Sequence, residues 1–304
     1  MRRIVGKILL FIGIVGAIDF FAGKLLNRIQ DECTGGDDGR IRYICQQDTS
    51  DMLIFGSSRA HYHYVPKVFT DTLDMSCFNC GQNGMGVIYF YGLLQLICRS
   101  HTPKMVIMDI YPPYDLEVND NSKYISLLRP YYSWQGIDSL IWDIDKNERY
   151  KMLSGLYRYN SRFTELIRNF HGNPTLDDRG FQALLGHPNH LEKTIEKDSY
   201  EYDKMKLFYL EKLMLFCKKR DINLFLVSSP RYGFESDRAF TPLLTLMERY
   251  EIPFYSYYSK SGFADTPILF ANEDHLNAGG ADIFSRIIAH IIKVSQCNKL
   301  PYGK

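Results

Sequence analysis

Three short apolar runs, each closing on small or polar residues, limit the folds open to this chain. They are Met52-Leu53-Ile54-Phe55-Gly56, Met105-Val106-Ile107-Met108-Asp109-Ile110 and Leu224-Phe225-Leu226-Val227-Ser228-Ser229-Pro230. A strand with one wet face alternates apolar and polar side chains, whereas an unbroken apolar run of this length suits a strand buried on both faces. Weaker strand patterns occupy residues 77–80 and 253–258. Between them, residues 87–99, 202–220, 237–250 and 278–294 carry helical patterns, and Phe240, Leu243, Leu244 and Met247 recur at the three-four spacing of one buried face. Strands alternating with helices predict an α/β fold: a parallel sheet covered by helices on both sides.

Composition narrows the class further. Among 304 residues, 45% are hydrophobic and 23% charged, which is an ordered globular protein and not a disordered one. Thirty-six Lys and Arg balance 35 Asp and Glu without a long basic run, so no nucleic-acid partner is expected. Length allows one large domain or two smaller ones. The first 30 residues stand apart: Arg2, Arg3 and Lys7 precede the apolar run Ile8 to Ile18, and Lys24 and Arg28 follow it. Such a segment is a signal peptide or a short membrane anchor, and an uncleaved anchor is the expectation, with the following domain on the outer, periplasmic side. If the segment is cleaved, the domain is secreted.

Residues 31–50, with Gly35-Gly36-Asp37-Asp38-Gly39, read as a polar linker, and the folded domain is expected over 51–298. Residues 124–198 interrupt the strand–helix alternation and are read as a helical insertion within that domain, with helices near 137–144 and 148–170. Of seven cysteines, Cys33 and Cys45 could close a loop in an oxidising compartment. Cys77 and Cys80 have CxxC spacing, but on a strand their Cα atoms stand about 10 Å apart. A disulfide requires less than about 7 Å, so they read as structural thiols. Cys98 and Cys217 fall in apolar helices and read as core.

In an open α/β sheet, function gathers where strands end at their carboxyl side. Gly56-Ser57-Ser58-Arg59-Ala60 follows the first strand, and Asn79-Cys80-Gly81-Gln82-Asn83-Gly84 follows the second. Asn272-Glu273-Asp274-His275-Leu276-Asn277 precedes the last helix. A serine, a glycine-rich turn and a histidine beside carboxylate or amide groups are the parts of a serine acyl-transfer site. No G-x-S-x-G elbow and no GxxxxGK[ST] phosphate loop is present.

These segments resemble the SGNH, or GDSL, hydrolases, particularly envelope-associated bacterial members with an N-terminal membrane segment. Gly56-Ser57-Ser58 stands in place of Gly-Asp-Ser, Asn79-x-Gly81-x-x-Gly84 resembles the second block, and Asp274-His275-Leu276-Asn277 resembles the last. The resemblance implies a flavodoxin-like three-layer sandwich with a central parallel sheet, and no cofactor or metal. It implies Ser58 as nucleophile, His275 as base, and an oxyanion hole from Ser58 and Gly84 N–H groups with the Asn83 side chain. Two departures stand out. The aspartate expected three residues before the histidine is Asn272, leaving Asp274 as the nearest carboxylate, and the Gly-x-Asn-Asp third block is absent from the region of Asp109 to Pro113.

The implied function is an extracytoplasmic serine esterase or O-acyltransferase. It would act on acyl esters, acetyl above all, of an envelope polysaccharide, alongside a membrane-bound acyltransferase partner. A non-catalytic glycan-binding or scaffolding module is the alternative that Asn272 motivates. Arg59 is a candidate for binding an anionic part of the substrate or a helix-solvating charge, and Ser57 and Ser58 are equally suited to capping a helix. His61 and His63, an H-x-H pair expected on a strand, lack a third ligand. Tyr111, Tyr114, Tyr131 and Tyr132 either line a carbohydrate cleft or serve packing.

Overall fold

The structure, a computed structural model, describes residues 1–172, 177–188, 190–193, 197–233 and 236–299. The chain forms two compact units, one from residues 1–47 with 121–175 and the other from 48–120 with 176–304.

In the first unit, α1 (Arg2–Glu32) is a continuous 31-residue helix, about 46 Å long at 1.5 Å per residue. Residues 2–18 are exposed all round, and this helix is long and apolar enough to cross a bilayer. Its second half packs instead. Leu26 and Gln30 are buried, Gly23 lies so close to Gly155 that a Cβ there would stand 2.7 Å from its Cα, and Tyr159 Oη donates to Asn27 Oδ1 at 2.6 Å.

The expected linker is not one. Residues 36–46 form helix α2 (Gly36–Gln46), which buries Ile41, Ile44 and Cys45. Its polar composition hid this because the charges are turned inward: Asp38 is 2% exposed and pairs with Arg162 at 2.8 Å. Cys33 and Cys45 are both buried and not joined in a disulfide, and burial pushes both upward in pKa.

Residues 121–175 also depart from expectation, since they pack with the N-terminal segment as a separate unit and not as an insertion in the sheet domain. The predicted helix 137–144 is present as Ile137–Ile144, but the pattern over 148–170 breaks into Glu148–Lys151, a 3-10 turn Tyr157–Tyr159 and Phe163–Asn169. Its interruption has a tertiary cause. The turn at Ser154-Gly155-Leu156 gives its hydroxyl and two backbone N–H groups to the Asp19 carboxylate, at 2.5, 2.8 and 3.1 Å. Of the predicted insertion, residues 173–176, 189 and 194–196 lie outside the described residues.

The second unit is built on a five-stranded sheet of β1 (Met52–Phe55), β2 (Cys77–Asn79), β3 (Met105–Asp109), β4 (Asn223–Ser228) and β5 (Phe254–Ser256). All neighbours are parallel and the order is β2-β1-β3-β4-β5. This is the flavodoxin-like doubly wound order, whose switch point lies between β1 and β3. Every residue of β1 and β3 is buried, as unbroken apolar runs require.

Alternate residues serve opposite faces. Met52, Ile54, Met105 and Ile107 join the core with Val68 and Phe69 of helix α4 (Pro66–Leu73) and Phe284, Ile288 and Ile292 of the last helix, Ala278–Lys299. Phe55, pointing the other way, stacks on Phe90 of helix α5 (Val87–Ile97), with ring centroids 5.4 Å apart. Cys77, Cys80, Cys98 and Cys217 are buried and not joined in disulfides. Helix Thr241–Tyr250 buries Leu243 but leaves Leu244 46% exposed, so its apolar face is narrower than the sequence spacing predicts.

Candidate active site

β1 ends at Phe55 and the chain turns through Gly56 into helix α3 (Ser58–His63). Gly56 has φ +142°, and a Cβ on it would meet Asp109 and Ala60 below 3.0 Å, so only glycine fits. The two serines divide the work. Ser57 is buried and its hydroxyl caps α3 by accepting from Arg59 N at 3.4 Å, which leaves Ser58 as the first residue of the helix with its hydroxyl free to point outward.

The histidine comes from the opposite end of the sequence. β6 (Phe270–Asn272) and β7 (His275–Leu276) form a tight antiparallel pair, with Asn272 opposite His275. Asn272 Oδ1 accepts from the backbone N–H groups of Asp274 and His275, each at 3.0 Å, which closes the turn. It also accepts from His275 Nδ1 at 2.9 Å. Because two backbone donors demand an oxygen there, the amide cannot be reversed, Nδ1 must carry the imidazole proton, and Nε2 is left as the acceptor. Nε2 lies 2.8 Å from Ser58 Oγ. Ser58, His275 and Asn272 are thus connected in the order and tautomer that activation of a serine requires.

Asp274 is not part of this relay. Its carboxylate turns away to Arg231, with Nε 2.7 Å from Oδ1, and accepts from Tyr111 Oη at 3.3 Å. Asn272 Oδ1 occupies Nδ1 while Arg231 holds the Asp274 carboxylate, so the two side chains do not share the imidazole nitrogen.

Arg59 is likewise not a substrate ligand. It is 1% exposed and donates to three backbone carbonyls, those of Asp274 at 3.0 Å, Pro230 at 2.8 Å and Ser229. Its guanidinium lies over the rings of Tyr111 and Tyr258. Beneath it the buried Asp109 accepts from Tyr64 Oη at 2.6 Å; burial raises the Asp109 pKa and the Arg59 charge opposes that rise. Replacing Arg59 with Met frees those carbonyls and leaves Asp109 without its counter-charge. We expect a loss of about 3–5 kcal/mol, read as a lower urea midpoint at unchanged slope.

His61 and His63 lie on α3, not on a strand. His61 bonds Gly81 O and Gln182 Oε1, each at 3.1 Å. His63 is buried, accepts from Leu276 N at 3.0 Å and donates to Ser229 Oγ at 2.8 Å. A ring that must accept at Nε2 has to be neutral, and burial accordingly holds its pKa well below the ordinary histidine value. Ser58, Arg59 and His63 therefore grip residues 275, 274 and 276 in turn, so α3 positions the whole histidine turn. No group of three metal-ligating side chains occurs among the described residues.

On the other side of the nucleophile, Gly84 sits at φ +74° in the open turn after β2. Among the described residues no acceptor engages the Ser58 or Gly84 N–H, which leaves both available to an oxyanion. Asn83 is exposed and donates to Tyr62 Oη at 2.9 Å, while the Tyr62 ring packs edge-on against His275 at 5.3 Å. Tyr111 is 9% exposed and packs beneath the histidine turn; Tyr131, 6% exposed, is core of the first unit.

The sequence reading missed Arg231, Ser229 and Tyr62. The first two follow β4 directly, and the carboxyl ends of all five strands were the signal that finds them.

Burial, followed by the Arg59 charge, lowers the pKa of His275 to about 4, while Asp274 acts in the opposite direction. A base must be neutral to work, and His275 loses that form only as pH falls through about 4. The acid limb of kcat/KM is therefore expected near pH 4, well below the ordinary histidine range; a limb at pH 6–7 contradicts this environment.

This is a Ser–His–Asn constellation at the carboxyl edge of a doubly wound sheet, and the fold is the one the SGNH resemblance implies. Solved structures similar to this chain include a GDSL-like lipase from Bacteroides thetaiotaomicron, at 12% identity and TM-score 0.36, covering 80% of this chain and 88% of that one. An acetyl xylan esterase is similar at 13% identity and TM-score 0.39, covering 80% and 98%. No family model and no curated protein matches the sequence.

Proposed function

We propose that this protein is an SGNH-type serine hydrolase acting on acyl esters through a Ser58–His275 pair oriented by Asn272. One observation carries the reading: His275 Nε2 stands 2.8 Å from Ser58 Oγ while Nδ1 is held at 2.9 Å by an oxygen that cannot be flipped. Ser58 Oγ attacks the ester carbonyl as its proton passes to His275 Nε2. The tetrahedral oxyanion faces the Ser58 and Gly84 N–H groups. Collapse expels the alcohol, which takes the proton from His275, and leaves acyl-Ser58. A second acceptor, water or a sugar hydroxyl, then gives up its proton to His275 and removes the acyl group.

The finer reading is an acetyl ester of an envelope polysaccharide, with hydrolysis or transfer set by that second acceptor. The apolar α1 supports an anchored, extracytoplasmic placement, and a membrane-bound acyltransferase is the partner that would supply acyl groups. Because Asn272 stands at Nδ1 in place of a carboxylate, a non-catalytic glycan-binding module is the second reading.

A fluorophosphonate probe separates them. Labelling of the full-length protein at Ser58, lost in Ser58→Ala, supports a nucleophilic serine. Absence of labelling, with O-acetylated glycan retained on the protein, supports the binding module and overturns the hydrolase.

A further inference from the structure

The first unit contains a cleft of about 480 Å³ between α1 and the turn after residue 152, and its position along α1 gives it a chemistry. We propose that it seats the phosphate headgroup of an anionic phospholipid, a proposal that rests on reading α1 as a membrane anchor.

Twenty helical residues cover the roughly 30 Å of a bilayer's hydrocarbon core, so a span beginning at Ile4 ends near Gly23. That places Asp19 within the last turn of the span, where a bare carboxylate would be costly. It is not bare: Ser154, Gly155 and Leu156 supply three hydrogen bonds to it. The same turn exposes Leu153 at 76% and Leu156 at 40%, apolar side chains at the depth where α1 leaves the hydrocarbon.

The walls of the cleft change character along α1. Phe20 and Leu153 form its apolar part, and Lys24, Asn27 and Arg158 its polar part, with Asp19 already satisfied between them. Lys24 Nζ rests over the Phe20 ring at 4.6 Å, while Arg158 is fixed by donating from Nε to Met152 O at 3.1 Å. Two cations and an amide at headgroup level, above an apolar wall, match a phosphate carried on an acyl chain. A basic side chain at a membrane surface favours an anionic lipid by about fivefold, so the pair predicts a preference of roughly 25-fold.

The test uses the full chain reconstituted in nanodiscs of equal phosphatidylglycerol and phosphatidylcholine, with lipid retained on the released protein read by native mass spectrometry. Wild type is expected to retain phosphatidylglycerol preferentially, and Lys24→Gln and Arg158→Gln each to lower the preference about fivefold. Lys24→Gln is decisive if Arg158→Gln unfolds, because Lys24 is exposed and, among the described residues, forms no hydrogen bond or ion pair that folding depends on. Equal retention of both lipids, or an unchanged preference in Lys24→Gln, overturns the proposal. Displacement of the lipid by millimolar inorganic phosphate overturns the lipid as source. A carbonate wash separates the two readings: a chain that leaves the membrane sinks the anchor and this site together, whereas one that stays but shows no lipid preference sinks the site alone.

Discussion

Asn272→Asp is expected to raise kcat for p-nitrophenyl acetate by two orders of magnitude or more. In serine proteases the orienting carboxylate is worth about 10⁴-fold, part of which reflects the imidazole tautomer and part its stabilisation of the imidazolium. Here Asn272 Oδ1 already sets the tautomer, since it also accepts from the N–H groups of Asp274 and His275. Only the electrostatic part is missing, so the expected gain lies between about 10² and 10⁴. An aspartate keeps all three acceptor roles, so the turn survives the change. The added negative charge also raises the His275 pKa from about 4, which moves the acid limb of kcat/KM to higher pH. A pH–rate profile measured on both proteins checks both effects together. An unchanged rate with an unchanged limb would falsify the assignment of Asn272 as the residue that orients His275.

Ser58→Ala and His275→Ala are each expected to cost about 10²-fold in the natural chain, far less than the 10⁶-fold typical of a complete triad. The reasoning is one of non-additivity: groups acting as one unit lose most of their value when any member is missing, and the carboxylate is already absent here. In the Asn272→Asp background the same alanine substitutions should cost 10⁴-fold or more. The steeper loss in that background is the signature of a relay. Equal losses in both backgrounds would mean that Asn272 and the Ser58–His275 pair act independently. Ser58→Ala is nearly isosteric and leaves the Ser57 cap intact, so its urea midpoint should match wild type.

Much of the architecture was legible in one dimension because burial on both faces has a local signature. The unbroken runs at 52–56 and 105–110 became fully buried central strands, within one residue of the expected ends. The segment at 31–50 was not legible, because its most buried carboxylate is satisfied by a residue more than a hundred positions away. Asp38 finds Arg162, and outside that segment Asp19 of α1 finds the 154–156 turn. Polar composition reports exposure only when the partner is water, and here the partners are protein. The same limit explains the broken helix at 148–170, whose turn is held by a carboxylate from α1.

Within the site, residue types at strand ends marked Ser58, Gly84 and His275 as candidates, since helix starts and glycine turns at those ends are where donors and nucleophiles can be exposed. The sequence alone therefore determined the class of fold and which groups were available for chemistry. Only the tertiary structure decided their roles. It showed that His275 Nε2 faces Ser58, that Asn272 and not Asp274 meets Nδ1, and that Arg59 is a buried clasp. Those outcomes depend on the directions of side chains brought together from over two hundred residues apart, and a local pattern carries the identity of a side chain but not the direction in which packing turns it.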